Sequence, residues 1–249
     1  MSLLHARDDE WLPGNTPGAT LRVLDSPASS PVDELSPALT KNFPAAAARS
    51  RLNGTIKRAM DFVLALWALV VLSPILVAIA VAVALIDGRP ILFRQARAGL
   101  DGRSFTVLKF RTMVRDADGR RADLRPFNEL AGAAFKMSND PRVTPLGRFL
   151  RRTSLDELPQ FINVLRGDMS IVGPRPHPFD DVAGYKPWHR RRLVVKPGIT
   201  GLWQISARRE TDFDRWVELD LEYIRTWSLW LDIVIMLKTI PALLRGDGR

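Results

Sequence analysis

The sequence contains no cysteine. This absence excludes disulfides, cysteine-bearing zinc sites and a cysteine nucleophile. Histidine is scarce too: the chain has three, His5, His177 and His189, and no two have the spacing that places metal ligands on one helix face. A secretory signal is also not expected, because Asp8 and Glu10 stand where basic and apolar residues would be required.

Acidic residues are outnumbered by basic ones, and the formal net charge is +9. A basic protein of this kind is expected to bind anions, which include nucleic acid, anionic lipid and phosphorylated substrates. The net charge does not choose among these classes of partner. The choice has to come from the arrangement of the residues.

Residues 1–50 lack a sustained apolar period and are rich in Pro, Ser, Ala and Gly. This composition predicts a disordered tail, with a small loop-rich subdomain as the alternative.

Charge is entirely absent from Phe62 to Ile86. An uncharged apolar run beyond ~18 residues is a membrane candidate, although a buried core helix remains the alternative. Ser73-Pro74 lies in the middle of the run, and proline forces a kink or a break in a helix. The segment therefore either spans a bilayer with a kink or dips in and returns to the same face.

Basic residues flank this run on both sides, and we expect positive flanks to stay cytoplasmic. Because the two flanks are equally basic, we favour re-entry with both ends cytoplasmic over a spanning helix. The flanking residues are Arg49, Arg51, Lys57 and Arg58 before the run and Arg89, Arg94, Arg97 and Arg103 after it.

The rest of the chain has a globular pattern. Two short strands are predicted at Ile91–Phe93 and Phe105–Leu108, with a turn at Gly99–Gly102. Helices are predicted over residues 115–136, 156–165, 212–224 and 223–244. The last one is apolar and contains Trp227 and Trp230, so it either lies at a membrane interface or packs in the core.

Two adjacent carboxylates, Asp156 and Glu157, follow a cluster of arginines that includes Arg151. Pro159 places the start of a helix close to Asp156. One interpretation is a helix cap, since Ser154-x-x-Glu157 matches the capping box. The other is catalytic: a helix start and arginines bind phosphate, a carboxylate attacks phosphorus, and a divalent cation offsets the repulsion.

Two further segments are suited to anion binding. Gly173-Pro174-Arg175-Pro176 fixes the backbone around one arginine, although it is also explained as a rigid turn. Lys196–Gly201 is a glycine-containing turn after a basic run, and its alternative is a solvated basic face.

Taken together, the motifs resemble one family, the monotopic bacterial sugar transferases that begin exopolysaccharide and glycoconjugate synthesis. The resemblance runs from about Lys57 to Lys238 and is to the short form of the family. Its motifs are, in order, Lys57-Arg58-x-x-Asp61, Ser73-Pro74, Phe93-x-Gln95-x-Arg97-x-Gly99, Lys109–Met113, Asn139-Asp140-x-Arg142-x-Thr144, Leu150–Pro176 and Lys196–Gln204.

This resemblance implies the function and the site. The enzyme would transfer a sugar 1-phosphate from a UDP-sugar to polyprenyl (undecaprenyl) phosphate through a covalent intermediate on Asp156. Glu157 would be its catalytic partner and would position the metal or the acceptor. Mg²⁺ would bind at Asp156. The substrate-binding residues implied are Arg151 and Arg175 and, less directly, Lys109, Asp168 and Lys196.

The implied fold is α+β, with a re-entrant helix-break-helix anchor over 51–88 and a mostly helical catalytic domain over 89–249 that contains a short β-hairpin. The catalytic domain would lie on the cytoplasmic face of the bacterial inner membrane, in contact with lipid. A homodimer is left open.

Two other classes of function are alternatives to the sugar transferase hypothesis. One is a membrane-anchored scaffold, in which the two carboxylates only cap a helix; release of UMP would distinguish it. The other is a nucleic-acid binder, but the sequence has no zinc-finger, RNP or helix-turn-helix signature, so nucleic acid is not an expected partner.

Overall fold

The structure is a computed structural model that describes residues 54–207 and 210–244. The predicted tail over residues 1–50 lies outside these ranges, as do Arg49 and Arg51 of the first basic flank.

The charge-free run forms two helices, α1 (Thr55–Val71) and α2 (Ser73–Ile86), that bend by 62° where they meet. Pro74 lies in the first turn of α2, where its missing N–H costs no helical hydrogen bond. The Ser73 hydroxyl donates to the Val70 carbonyl at 2.8 Å and closes the end of α1. The predicted break is confirmed.

Among the described residues, no single helix is both long and apolar enough to cross a membrane. The bent pair of α1 and α2 together reaches the length and apolar composition that a membrane segment needs. The pair is apolar on its outside: the exposed fraction is 64% for Trp67 and 81% for Leu85.

The first turns of α1 are buried in the rest of the domain. The ammonium of Lys57 lies 2.6 Å from the Asp232 carboxylate, and both side chains are almost fully buried. Asp61 accepts a hydrogen bond from the backbone N–H of Ile171. Arg58 donates to the Val164 and Leu165 carbonyls. These contacts fix the start of the bent pair on the rest of the domain.

An antiparallel hairpin follows, formed by β1 (Leu92–Ala98) and β2 (Ser104–Phe110). Its register pairs Leu92 with Phe110 and Ala98 with Ser104. The predicted hairpin is confirmed, and its strands are longer than expected. Ile79 and Val83 of α2 pack against Phe110, so the hairpin connects the bent pair to the domain.

The predicted helix over residues 115–136 is wrong. Only α3 (Arg121–Leu124) and a 3₁₀ turn at Arg125–Phe127 form there. The Asn128 side chain organises the remainder as a loop, because its amide donates to the Leu130 and Ala134 carbonyls and its oxygen accepts from Leu130 and Lys136 N–H groups. Such side-chain bonds to the backbone compete with a helix.

The segment with the two carboxylates is a helix, a turn and a helix. Helix α4 (Pro145–Thr153) is capped by the Thr144 hydroxyl, which accepts from the Gly147 N–H. A 3₁₀ turn at Leu155–Glu157 follows, and α5 (Gln160–Arg166) begins after Pro159. The predicted helix over 156–165 therefore starts several residues later than expected.

A second, parallel sheet pairs β3 (Ser170–Val172) with β4 (Gly198–Thr200), and the sequence did not predict it. The chain between them forms α6 (Phe179–Ala183) and a 3₁₀ turn at His189–Val194. Helix α7 (Leu202–Ser206) comes after β4.

Two C-terminal helices complete the domain. Helix α8 (Phe213–Thr226) confirms the predicted helix over 212–224, and the Asp212 carboxylate caps it. Helix α9 (Leu229–Leu244) is separate from it, so one helix over 223–244 is wrong.

Helix α9 packs in the core on one side, and its position at a membrane interface stays a prediction. Asp232 and Ile235 are fully buried, and Trp227 donates to the Asp232 carboxylate at 3.1 Å. Trp230 and Leu237 point outward and are more than half exposed. The main core lies between these helices and β3. The fold is thus the predicted α+β class, mostly helical with two small sheets.

Candidate active site

A large pocket of about 1510 Å³ lies between the hairpin, the 3₁₀ turn at Leu155–Glu157 and the loop that follows β2. Basic side chains outnumber acidic ones along its wall, which makes it suited to anions. The basic residues are Arg89, Arg94, Arg97, Lys109, Arg111, Arg115, Arg121, Lys136, Arg142, Arg151 and Arg175.

Asp156 lines this pocket and is 6% exposed. Its carboxylate forms no hydrogen bond or ion pair with the residues that the structure describes. Burial raises the pKa of Asp156 to about 6; Glu157 acts in the same direction, and Lys109 and Arg151 oppose it. A buried carboxylate without a partner is an oxygen nucleophile that is free to react.

Glu157 has the opposite environment. Its carboxylate lies 2.7 Å from the Lys109 ammonium and 2.5 Å from the Arg175 guanidinium. Burial alone would raise the pKa of Glu157, but the charges of Arg175 and Lys109 outweigh it and hold that pKa well below its usual range. Glu157 is therefore ionised and holds two cations at the pocket wall.

Close backbone packing positions Arg175. It follows β3 in the Gly173–Pro176 turn, which lies against the start of β4. A Cβ on Gly198 would stand 2.1 Å from the backbone nitrogen of Gly173, so only glycine permits this approach. Burial lowers the pKa of Lys109, which comes from β2, although Glu157 opposes the shift.

The helix-cap interpretation of Ser154 is wrong. Ser154 has a left-handed conformation with φ of 56° and its side chain makes no capping hydrogen bond. The N–H groups of Glu157 and Leu158 donate to the Ser154 and Leu155 carbonyls, so these two amides are already used within the turn. An anion site at the helix start stays a prediction, and the basic side chains of the pocket wall are the positive groups that the structure places here.

The predicted binding residues fall into two groups. Arg151, Lys109 and Arg175 line the pocket with the two carboxylates. Asp168 and Lys196 do not line it: Asp168 accepts a hydrogen bond from the Asn163 amide at 3.2 Å, and burial beside Arg58 lowers the pKa of Lys196. A role for these two in substrate binding stays a prediction.

Two pocket residues were not predicted as site residues. Arg97 lies beside Arg175 and Glu157, donates to the Pro176 carbonyl at 2.6 Å, and burial lowers its pKa to about 10. His177 lines the same pocket, and burial keeps its pKa well below the usual value. Sequence signals for both residues exist: Arg97 belongs to the motif from Phe93 to Gly99, and His177 directly follows Pro176.

Metal ligands are sparse in the described part of the chain, where no cluster of three or more histidine, aspartate or glutamate side chains is placed to hold an ion. Mg²⁺ commonly binds through one or two carboxylates together with substrate phosphates and water. The uncommitted carboxylate of Asp156 fits that mode of binding. The Glu157 carboxylate does not fit that mode of binding, because it already forms ion pairs with Lys109 and Arg175.

Sequence comparisons place this arrangement in a known group. The profile of the family described as "Bacterial sugar transferase" matches residues 52–246. The chain is 52% identical over 163 residues to "Galactosyl transferase CpsE" of Streptococcus agalactiae serotype III (strain NEM316), which covers 65% of this chain and 36% of that protein.

It is 49% identical over 200 residues to "UDP-glucose:undecaprenyl-phosphate glucose-1-phosphate transferase" of Escherichia coli (strain K12), covering 77% of this chain and 40% of that protein. It is 41% identical over 201 residues to "Exopolysaccharide production protein ExoY" of Rhizobium meliloti (strain 1021), covering 79% and 89%. The chain thus spans less than half the length of the first two relatives and most of the third. With a family match over most of its length, this chain belongs to the bacterial sugar transferases.

Proposed function

We propose that the chain transfers a sugar 1-phosphate from a UDP-sugar to polyprenyl phosphate, which gives a polyprenyl-diphospho-sugar and UMP and begins exopolysaccharide or glycoconjugate synthesis. The observation that carries the proposal is the buried, unpartnered Asp156 carboxylate beside a Glu157 that holds Lys109 and Arg175. The names of the relatives support the substrates, since one names UDP-glucose and undecaprenyl phosphate.

In the first step an Asp156 oxygen attacks the phosphorus that carries the sugar. A bond forms between that oxygen and phosphorus, the bond from phosphorus to the UMP oxygen breaks, and its electron pair leaves with UMP. Positioning and charge stabilisation dominate phosphoryl transfer. Lys109, Arg175 and Arg151 supply cations at this point of the pocket.

In the second step a phosphate oxygen of the acceptor attacks the same phosphorus. The bond between phosphorus and the Asp156 oxygen breaks, and the carboxylate is restored. Splitting the transfer into two displacements is ordinary covalent catalysis.

Glu157 serves this chemistry indirectly in the proposal. Its two ion pairs orient Lys109 and Arg175 toward the transferring phosphoryl group. A role for Glu157 in holding the metal finds no support in these contacts, and positioning of the cations replaces it.

We also propose that Mg²⁺ binds together with the donor diphosphate and that Asp156 is its protein ligand. The ion would supply charge neutralisation between the carboxylate and the phosphates.

In the proposal, the lipid acceptor reaches the site from the membrane. The outward apolar side chains of the bent pair favour a segment that dips into the cytoplasmic leaflet of the inner membrane and holds Asp156 at headgroup depth. The names of the relatives include both galactose and glucose, so we propose a hexose as the sugar. The homodimer stays a prediction that mass photometry of the purified chain would test.

Asp156→Asn tests the proposal, because the amide retains the shape of the side chain and loses its nucleophilicity. We expect UMP release from a UDP-hexose to fall to background and labelled phosphosugar to be absent from the protein. Asp123→Asn, an exposed aspartate that does not line the pocket, is the matched control and should leave both unchanged. Sustained turnover by the Asp156→Asn variant would refute the proposal.

A further inference from the structure

The pocket continues from Asp156 to the residues that follow α2, and two arginines meet there at Gly88. The Arg111 guanidinium donates to the Asp87 and Gly88 carbonyls, both at 2.6 Å. A guanidinium nitrogen of Arg115 lies 3.1 Å from the place that a Cβ on Gly88 would take. Two positive groups therefore converge on the turn at the end of the bent pair.

These two guanidinium groups have no anionic partner. Neither Arg111 nor Arg115 forms an ion pair with a carboxylate in the ranges that the structure describes. The nearby Asp87 carboxylate accepts from the Thr144 hydroxyl at 3.0 Å. Arg111 is 5% exposed, and its Nε has no hydrogen-bond partner. Such a pair of cations is suited to an external phosphate.

The register of the hairpin directs Arg111 toward the reacting groups. The Arg111 N–H donates to the Ile91 carbonyl and continues the ladder beyond Phe110. Side chains two residues apart on a strand share a face and stand ~7 Å apart. Arg111 is two residues after Lys109, which contacts Glu157 in the same pocket.

The same turn adjoins apolar surface. Leu85 and Ile86, in the last turn of α2, are 81% and 66% exposed. A ligand at Gly88 with a phosphate head and a long hydrocarbon chain would thus meet cations at one end and apolar side chains at the other. Because Arg111 donates to the Asp87 and Gly88 carbonyls, its positive charge offsets part of the negative charge at the end of α2, which would otherwise repel a phosphate.

We infer that the polyprenyl phosphate acceptor binds here, with its phosphate on Arg111 and Arg115 and its chain along the exposed side of α2. The inference rests on the proposed function and assigns the acceptor to one end of the pocket. In the transfer step the acceptor oxygen forms its bond to the phosphorus on Asp156 as the bond to the Asp156 oxygen breaks.

The two half-reactions separate this inference from the proposed function. Full-length protein in nanodiscs is loaded with labelled UDP-hexose, which gives the adduct and UMP, and undecaprenyl phosphate is then added. In Arg115→Gln we expect adduct formation within about twofold of wild type and discharge at subsaturating acceptor slower on the order of tenfold, the loss of one charge-assisted contact.

Arg120→Gln is the control, since Arg120 is an exposed arginine in the same segment, is paired with Asp116 and does not line the pocket. It should leave both half-reactions unchanged. Arg111→Lys retains the charge but loses the two-carbonyl fork, and it should slow discharge more than adduct formation.

Discharge by Arg115→Gln at the wild-type rate would overturn the inference, as would an equal loss in both half-reactions. Weaker binding of this variant to phosphatidylglycerol vesicles with unchanged discharge would assign the cluster to ordinary lipid headgroups and also overturn it. Failure of wild type to form any adduct would instead remove the proposed function itself.

Discussion

Asp156 and Glu157 are neighbours with the same charge, and the fold gives them opposite electrostatic environments. Burial without a partner raises the pKa of Asp156 to about 6. Burial also acts on Glu157, but Arg175 and Lys109 overcome it and hold the pKa of that carboxyl low. Two carboxyl groups whose pKa values are driven apart are suited to different tasks. In the proposed mechanism the first carboxylate attacks phosphorus and the second positions cations.

The raised pKa of Asp156 predicts the pH dependence of the first step. Only the ionised carboxylate attacks phosphorus, and the raised pKa means that protonation sets in as the pH falls through about 6. We therefore expect single-turnover UMP release to be constant above about pH 7 and to fall about tenfold per pH unit below the pKa. A rate that stays flat down to about pH 5 would contradict this assignment.

At this scale the sequence predicted that the two adjacent carboxylates and part of their surroundings would share one site, and the structure places them in one pocket. Asp156 and Glu157 are recognisable because arginines and a helix-starting proline surround them locally. Two contacts of the site depend on tertiary packing: Lys109 of β2 pairs with Glu157, and Asp168 accepts a hydrogen bond from Asn163. No local sequence pattern predicts such contacts.

Among the elements, the helix break and the hairpin were predictable because each has a local cause. Pro74 interrupts one helix, and glycines make the hairpin turn. The loop over residues 115–136 was not predictable. Its backbone hydrogen-bonds to a single side chain, Asn128, with partners up to eight residues away, instead of forming helical hydrogen bonds. The parallel sheet escaped prediction because three-residue strands give no readable alternation.

Helix α4 depends on one glycine for its position. A Cβ on Gly147 would stand 2.0 Å from the Thr112 carbonyl oxygen, so backbone would have to move. We expect Gly147→Ala to destabilise the domain by about 2 kcal/mol through overpacking, measured by urea unfolding in detergent.

Gly119→Ala is the matched control for that substitution. Its Cβ would approach the Asp116 carbonyl no closer than 3.6 Å, an ordinary contact. Equal stability of the Gly147→Ala and wild-type proteins would show that α4 does not pack on Thr112 as described.

For the whole molecule, a buried polar cluster fixes the bent pair to the C-terminal helices of the domain. Lys57 pairs with Asp232, whose carboxylate also accepts from the Tyr223 hydroxyl at 2.8 Å. The cluster joins the first turn of α1 to α8 and α9. The orientation of the apolar pair relative to the pocket is therefore fixed within the domain, which is what the proposed transfer to a lipid acceptor requires.

Re-entry of the bent pair predicts that both of its ends face the cytoplasm. Because the chain has no cysteine, Thr55→Cys and Pro90→Cys each provide a single label site at an exposed position. We expect a membrane-impermeant thiol reagent to label neither in intact spheroplasts and both after lysis. Labelling of one position alone in intact cells would show a spanning helix.

The proposed transfer requires a covalent bond between Asp156 and phosphorus, and peptide mass spectrometry measures that bond most directly. The chain is mixed with a UDP-hexose and Mg²⁺ without acceptor, quenched within one turnover, digested and sequenced by fragmentation. We predict a hexose-phosphate addition on Asp156 that disappears when polyprenyl phosphate is added before the quench. An unmodified Asp156 in protein that has released UMP, or an addition on a different residue, would contradict the account.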